Sequence, residues 1–251
     1  MNKLSKMVTS VAVASVLASG VYAEESGVFV GLEAGSIGYG NLNYEYNGEY
    51  TNTTNGTKEK QKAKLEGGAN SFGYGITVGY KHFFTPKLGL RGYANFNHIH
   101  GEIYVDWQTT TRNIGNLFNY GVNVDFLGNF YSAENLDIGG FIGLGIGANS
   151  LTGTDIENAR KDKKNDVKTK KEAGDSASAN TPAASFDAHL NVGLRANLAK
   201  HHGIEAVAKV PFLPATIVDT SYTSQDGTIS SKLTTQIRNT WNFNVRYTYS
   251  F

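Results

Sequence analysis

A chain of 251 residues without cysteine is long enough to bury a core unaided, and it can carry no disulfide, thiolate nucleophile or cysteine-ligated metal. A formal charge of +1 gives no electrostatic reason to expect nucleic acid. Its 29 Gly, 14 Tyr and 13 Phe against 4 Pro and 2 Met suit strands packed closely round a lumen, with rings at a lipid interface.

The first 23 residues read as a secretory signal peptide. Lys3 and Lys6 make a positive start, an apolar stretch runs over 7–18, and Val21-Tyr22-Ala23 sets cleavage between Ala23 and Glu24. The apolar stretch is too short and wrongly flanked to span a bilayer. No run of about 18 apolar residues recurs after Ala23, so an integral protein must cross with the strands of a barrel.

Residues 24–251 form one domain of period-two segments. Strand one, 28–37, alternates Val28, Val30, Leu32 and Ala34 with Phe29, Gly31, Glu33 and Gly35. Strand two, 71–84, sets Phe72, Tyr74, Ile76, Val78 and Tyr80 against Gly73, Gly75, Thr77, Gly79 and Lys81. Strand three covers 88–97, strand four 119–130 and strand five begins at Leu136. Strand six covers 185–198, and strand seven starts at Gly203 and is interrupted by Pro211 and Pro214. Strand eight, 238–251, alternates Trp241, Phe243, Val245, Tyr247, Tyr249 and Phe251 with polar residues to the last position. Asp226-Gly227 marks a hairpin tip.

The connections alternate in length. Long ones fall at about 38–70, 98–118, 149–184 and 211–235, with tight turns between them. That sorting fits an all-β transmembrane antiparallel barrel with short periplasmic turns, long extracellular loops and both termini in the periplasm. A β-sandwich would alternate too, but nothing would sort its connections. Eight strands fit best. Because about 9–11 residues suffice to cross, ten strands are the alternative, with extra hairpins at 44–50 and 103–107.

The inward face carries Glu33, Asp125, Asp137, Asp187 and Glu205 against Lys81, Arg91, Arg195, Lys209, Arg238 and Arg246. An eight-stranded barrel is just wide enough for side chains to fill, and buried charges must pair or be hydrated. A lumen charge network and a plugged barrel follow, in preference to a conducting path. Arg246 should find a carboxylate across the lumen. Phe72, Phe96, Tyr120, Phe186 and Trp241 form one expected aromatic girdle, and Phe83, Phe84, Phe130, Tyr131, Tyr249 and Phe251 the other. His98 and His100 share a strand face, but no third ligand is fixed beside them. His201-His202 reads as a turn. No Ser, His and acid constellation stands out, so no enzyme, cofactor or metal is expected. The basic run over 160–171 reads as a solvated disordered loop; contact with lipopolysaccharide phosphates or host anionic glycans is the sharper reading.

Several stretches together resemble the Helicobacter outer-membrane protein family, of the Hop and Hor type. They are Tyr74-Gly75 with Gly79-Tyr80-Lys81-His82-Phe83-Phe84; Gly89-Leu90-Arg91-Gly92-Tyr93; Tyr120-Gly121-Val122 with Asp125 and Asn129-Phe130; Asn191-Val192-Gly193-Leu194-Arg195 with His201-His202-Gly203-Ile204-Glu205 and Lys209-Val210-Pro211; and Tyr247-Thr248-Tyr249-Ser250-Phe251. The resemblance implies an integral protein of the cell outer membrane, surrounded by lipid and lipopolysaccharide. It also implies insertion by the barrel assembly machinery reading a terminal aromatic strand, here Tyr247, Tyr249 and Phe251. Large members carry extra extracellular domains that bind host glycans or proteins, and some are porins. The expected function is a monomeric, non-enzymatic surface protein whose loops meet host or envelope ligands, adhesin-like or structural; a small porin is the alternative.

Overall fold

A computed structural model describes residues 24–35, 39–51, 56–104 and 111–251. Residues 1–23, including Ala23 of the expected cleavage site, lie outside it. The described elements are β1 (Gly27–Gly35), β2 (Tyr39–Thr51), β3 (Lys58–Phe83), β4 (Leu88–Tyr104), β5 (Thr111–Ala133), β6 (Leu136–Thr152), α1 (Thr154–Glu172), β7 (Ser176–Asn180), β8 (Ala184–Leu198), β9 (His202–Pro211), β10 (Ala215–Thr223) and β11 (Ile229–Ser250). Among them, β1, β3, β4, β5, β6, β8, β9 and β11 pair in that order, all antiparallel, and β11 returns to β1. The barrel is closed with eight strands. Closure leaves these strands without free edges, which is what a lipid environment demands of backbone N–H and C=O groups.

The polarity is inside out. Leu32 is 63% exposed and Leu144 60%, whereas Arg246 is 0% exposed and Glu205 2%. Alternation in each strand therefore puts hydrocarbon toward lipid and charge toward the lumen. Aromatic rings mark the levels: Phe96 and Tyr120 are cross-strand neighbours at one end, and Phe84 and Phe126 stand 6.4 Å apart at the other. Phe83 departs from the expected girdle. It shares the phase of Lys81, turns inward and packs against Leu127, Phe141 and Val207.

Four strands run well past the expected limits at the long-connection end, and three further strands, β2, β7 and β10, fall in stretches read as loops. β2 pairs with β3 and with the outer half of β11, while β10 pairs with β11 and β7. Pro211 ends β9, and Pro214 lies before β10, where missing N–H donors interrupt no ladder. The basic run over 160–171, expected as a disordered loop, is helical: the long connection 149–184 holds the 19-residue helix α1 and β7. Helix formers fill α1, with an i,i+4 pair between Asp166 and Lys170 at 3.0 Å. Gly174, at φ +90°, closes it in a Schellman turn: Asp175 N–H donates to the Lys170 carbonyl at 3.0 Å and Gly174 N–H to that of Lys171 at 3.1 Å. No described helix is long and apolar enough to cross a membrane.

Candidate functional site: a lumen closed at two levels

Strand register builds the lower closure. Glu33 of β1 lies opposite Arg246 of β11, Arg246 opposite Glu205 of β9, and Glu205 opposite Arg195 of β8. Four adjacent strands thus present acid, base, acid, base at one level, the favourable arrangement for cross-strand pairs. Arg246 donates to Glu33 at 3.0 Å and to Glu205 at 3.2 Å. Lys209 donates to the other Glu33 oxygen at 3.2 Å. Arg91 reaches across to Glu205 at 2.5 Å and to Asp125 at 2.9 Å. Two of these guanidinium groups also lie over rings: Arg91 is 4.4 Å from the Phe141 centroid and Arg246 4.9 Å from that of Tyr93. Inward glycines on neighbouring strands make the room; a Cβ on Gly143 would collide with the Asp125 carboxylate.

Glu24, the expected first mature residue, belongs to this network, and sequence reasoning placed it only at a cleavage site. It is 2% exposed. Its carboxylate accepts from Lys81 at 2.7 Å, from Arg195 and from Asn129 at 3.2 Å. Its signal in the sequence was an acid three residues ahead of β1, whose neighbour β3 carries inward Lys81; Arg195 reaches it from β8, which is not a neighbour of β1.

Above the charges sits a layer of amides. Asp187 accepts from Asn119 at 3.0 Å and lies 2.8 Å from His189, whose other ring nitrogen is 2.9 Å from Asn123. Asn119 also donates to Asn149 at 2.8 Å. A small polar chamber opens here, lined by Glu33, Asn97, Asn119, Asp187, His189 and Lys209 among others.

The upper closure is apolar. Asn97, Asn119 and Asn149 are successive cross-strand neighbours on β4, β5 and β6; two residues further out on each strand stand Ile99, Leu117 and Leu151, again neighbours. Ile156 of α1 drops onto this row with Ala215, Ile217, Val218 and Ile237. Arg160 anchors the helix by donating to the Leu151 carbonyl at 3.0 Å and the Pro182 carbonyl at 2.7 Å.

Of the expected network residues, the structure brings together Glu33, Lys81, Arg91, Asp125, Arg195, Glu205, Lys209 and Arg246. Asp187 is buried one layer above them with His189. Asp137 is buried but forms no described ion pair. The expected inward placement of Arg238 falls on a side chain outside those described; beside it Ile237 is buried, and the register of β11 shifts between Asn239 and Trp241. At the closing strand, Phe251 is exposed and its N–H donates to the Val28 carbonyl at 3.0 Å, extending the β1 ladder. Tyr249 stands 5.2 Å from the Phe251 ring, and the Tyr247 hydroxyl lies 2.7 Å from His202. His98 is 2.8 Å from Asn116 and stacks on Phe118. Among the described residues no group of three His, Asp or Glu is placed to hold a metal.

The chain is similar to several solved outer-membrane barrels. OprG from Pseudomonas aeruginosa is 13% identical over 92% of this chain and 99% of its own, with a TM-score of 0.41. The outer membrane protein AlkL is 11% identical over 93% and 94%, with a TM-score of 0.34. Ail, the attachment invasion locus protein of Yersinia pestis, is 10% identical over 90% and 100%, with a TM-score of 0.29. No curated protein matches the sequence significantly. The model of the Helicobacter outer membrane protein family matches residues 75–251, from the inward glycines of β3 to the terminal aromatic, and the chain belongs to that family.

Proposed function

We propose that this protein is a non-enzymatic, monomeric outer-membrane barrel, shut to solutes, whose work is done by the platform at its long-connection end. The observation that carries the reading is the double closure. An ion-pair ladder fills the lumen at the level of Arg246 and Glu205, and an apolar layer topped by Ile156 fills it further along. Short turns belong to the periplasm and long connections to the exterior in such barrels, so both termini are periplasmic and α1, with the β2–β3 and β10–β11 hairpins, faces outward. That platform is where host or envelope ligands would bind. The outward face is apolar and meets lipid, with lipopolysaccharide in the outer leaflet, and most of the lumen charges pair within this one chain, so no second subunit is needed to pair them. Tyr247, Tyr249 and Phe251 are the signal for the barrel assembly machinery. Deleting Phe251 is expected to lower outer-membrane levels more than it lowers the urea resistance of inserted barrel; undiminished levels would remove that role.

A small pore is the second reading, carried by the polar chamber between the two closures. Planar bilayers decide between them. The purified protein is expected to give no stable conductance, and reproducible channels of sizeable conductance would replace the first reading by the second.

A further inference from the structure

We infer that the exposed flank of α1 is a docking ridge for a linear sulfated polysaccharide. At 100° per residue, Lys161, Lys164, Lys168 and Lys171 fall within a sector of about 80°, and all four are exposed. Asp162 and Asp166 fall on the far side. The side toward the mouth is made by Ile156, Arg160, Lys163, Val167 and Lys170, each buried or half-buried. Charge is therefore sorted round the helix. Two acids share the lysine flank: Glu157, one turn before Lys161, and Glu172, 3.9 Å from Lys168. Such an exposed contact is weak and open to exchange. Lys161, Lys164 and Lys171 have no carboxylate partner among the described residues.

Two bland accounts fall short. Cations in the last turn complement the helix dipole, which covers Lys170 and Lys171 but not Lys161 or Lys164. A polar helix can also be a mere solvated connection, but this one is pinned. Ile156 sits in the apolar layer, Arg160 holds two carbonyls, and Lys170 lies 4.5 Å from the Tyr222 ring. Tyr222 in turn donates to Asp175, just past the helix, at 3.0 Å. Pinning removes most of the ordering cost of binding. Lys161 to Lys171 span ten residues, about 15 Å, so the ridge fits an extended anion with charges every few ångströms. The helix is rooted over the lumen and not over lipid, which favours a polysaccharide from outside over the phosphates of the surrounding leaflet. This assignment rests on the proposed surface role, and a shut barrel that binds no polyanion would leave that role standing while ending this one.

The test uses the full mature protein in neutral detergent, with heparin and chemically desulfated heparin as probes, at about 0.15 M salt. Wild type should bind heparin, weaken steeply as salt rises, and ignore the desulfated form. The K161Q/K164Q/K168Q/K171Q variant should lose at least about tenfold in affinity. The K58Q/K60Q/K62Q/K232Q variant, which removes the same charge from exposed lysines elsewhere at this end, should change by less than about threefold. The corresponding four-Arg ridge variant, which keeps charge and helix, should bind. Absence of wild-type binding, equal loss in both Gln variants, or binding only to lipopolysaccharide vesicles would each overturn the inference.

Discussion

From Glu24 up to Asp187 the lumen is filled with carboxylates, guanidinium groups and amides, whereas from Ile99, Leu117 and Leu151 outward it is filled with hydrocarbon and roofed by a helix. Both fillings block one tube, but they fail differently. Charges in a low-dielectric lumen depend on one another: Arg246 serves two carboxylates, and Glu205 serves Arg91 and Arg246. Such a ladder gives modest net stability when whole and a large loss when one member goes. The apolar layer can part at the helix without stranding a charge, so the outer closure is separable from the barrel and the inner one is not.

The largest test of that contrast is Arg246→Met. It would leave Glu33 with Lys209 alone and take from Glu205 one of its two close partners, and about 3–5 kcal/mol should be lost. Urea titration of the barrel in lipid vesicles measures it, and a midpoint equal to wild type would mean that the ladder does not hold the barrel. Glu24→Gln should cost less, about 2 kcal/mol, because Arg195 keeps a contact with Glu205 at 4.0 Å. Lys81, whose described ion pair is with Glu24, bears most of that loss.

Ile156→Ala addresses the other side. The change removes the helix's buried anchor and should weaken its docking by about 2 kcal/mol, while the urea midpoint of the barrel stays put. Trypsin cutting within 160–171 should become faster, and amide exchange should quicken in α1 but not in β5 or β6. If the whole barrel lost stability in step, the two closures would be one unit.

The parts of this design that could be read in the sequence share a cause. A spanning strand has one lipid-facing row and one lumen-facing row, so Val28 to Ala34, Phe72 to Tyr80 and Trp241 to Tyr249 announce both faces by alternation alone, and the inward charges follow by parity. Beyond the membrane that contrast fades. Ile99, Leu117 and Leu151 point inward like Asn97, Asn119 and Asn149, but an apolar residue on the polar phase reads as the end of a strand. Parity likewise carries no warning of the register shift at Asn239 and Trp241, beyond which Ile237 is the buried residue. In α1 the charge run masked the helix, because Ile156 and Val167 are too few to show an apolar stripe until the mouth they cover is known. Glu24 was visible only as a residue after a cleavage motif; its role depends on Lys81 of the neighbouring strand β3 and on Arg195 of β8, both far along the chain.

The smallest effect belongs furthest from both closures, at the β10–β11 tip. Asp226 accepts from the Ser224 hydroxyl at 2.6 Å, from the Thr228 N–H at 3.1 Å and from the Thr228 hydroxyl at 2.8 Å, around Gly227 at φ +71°. The bond from Ser224, then those from Thr228, hold its carboxyl below the usual value. A carboxyl lowered on folding contributes order above its unfolded pKa, about 3.9, and loses it as pH falls through the lowered value. Amide exchange at Thr228 should therefore stay slow from neutrality to about pH 4 and, corrected for intrinsic rates, rise below it. Asp226→Asn keeps an acceptor but not the charge, and should flatten that dependence without altering the urea midpoint. The tip is solvent-screened and touches neither filling, so a barrel-wide response to either change would show that the platform and the lumen are coupled after all.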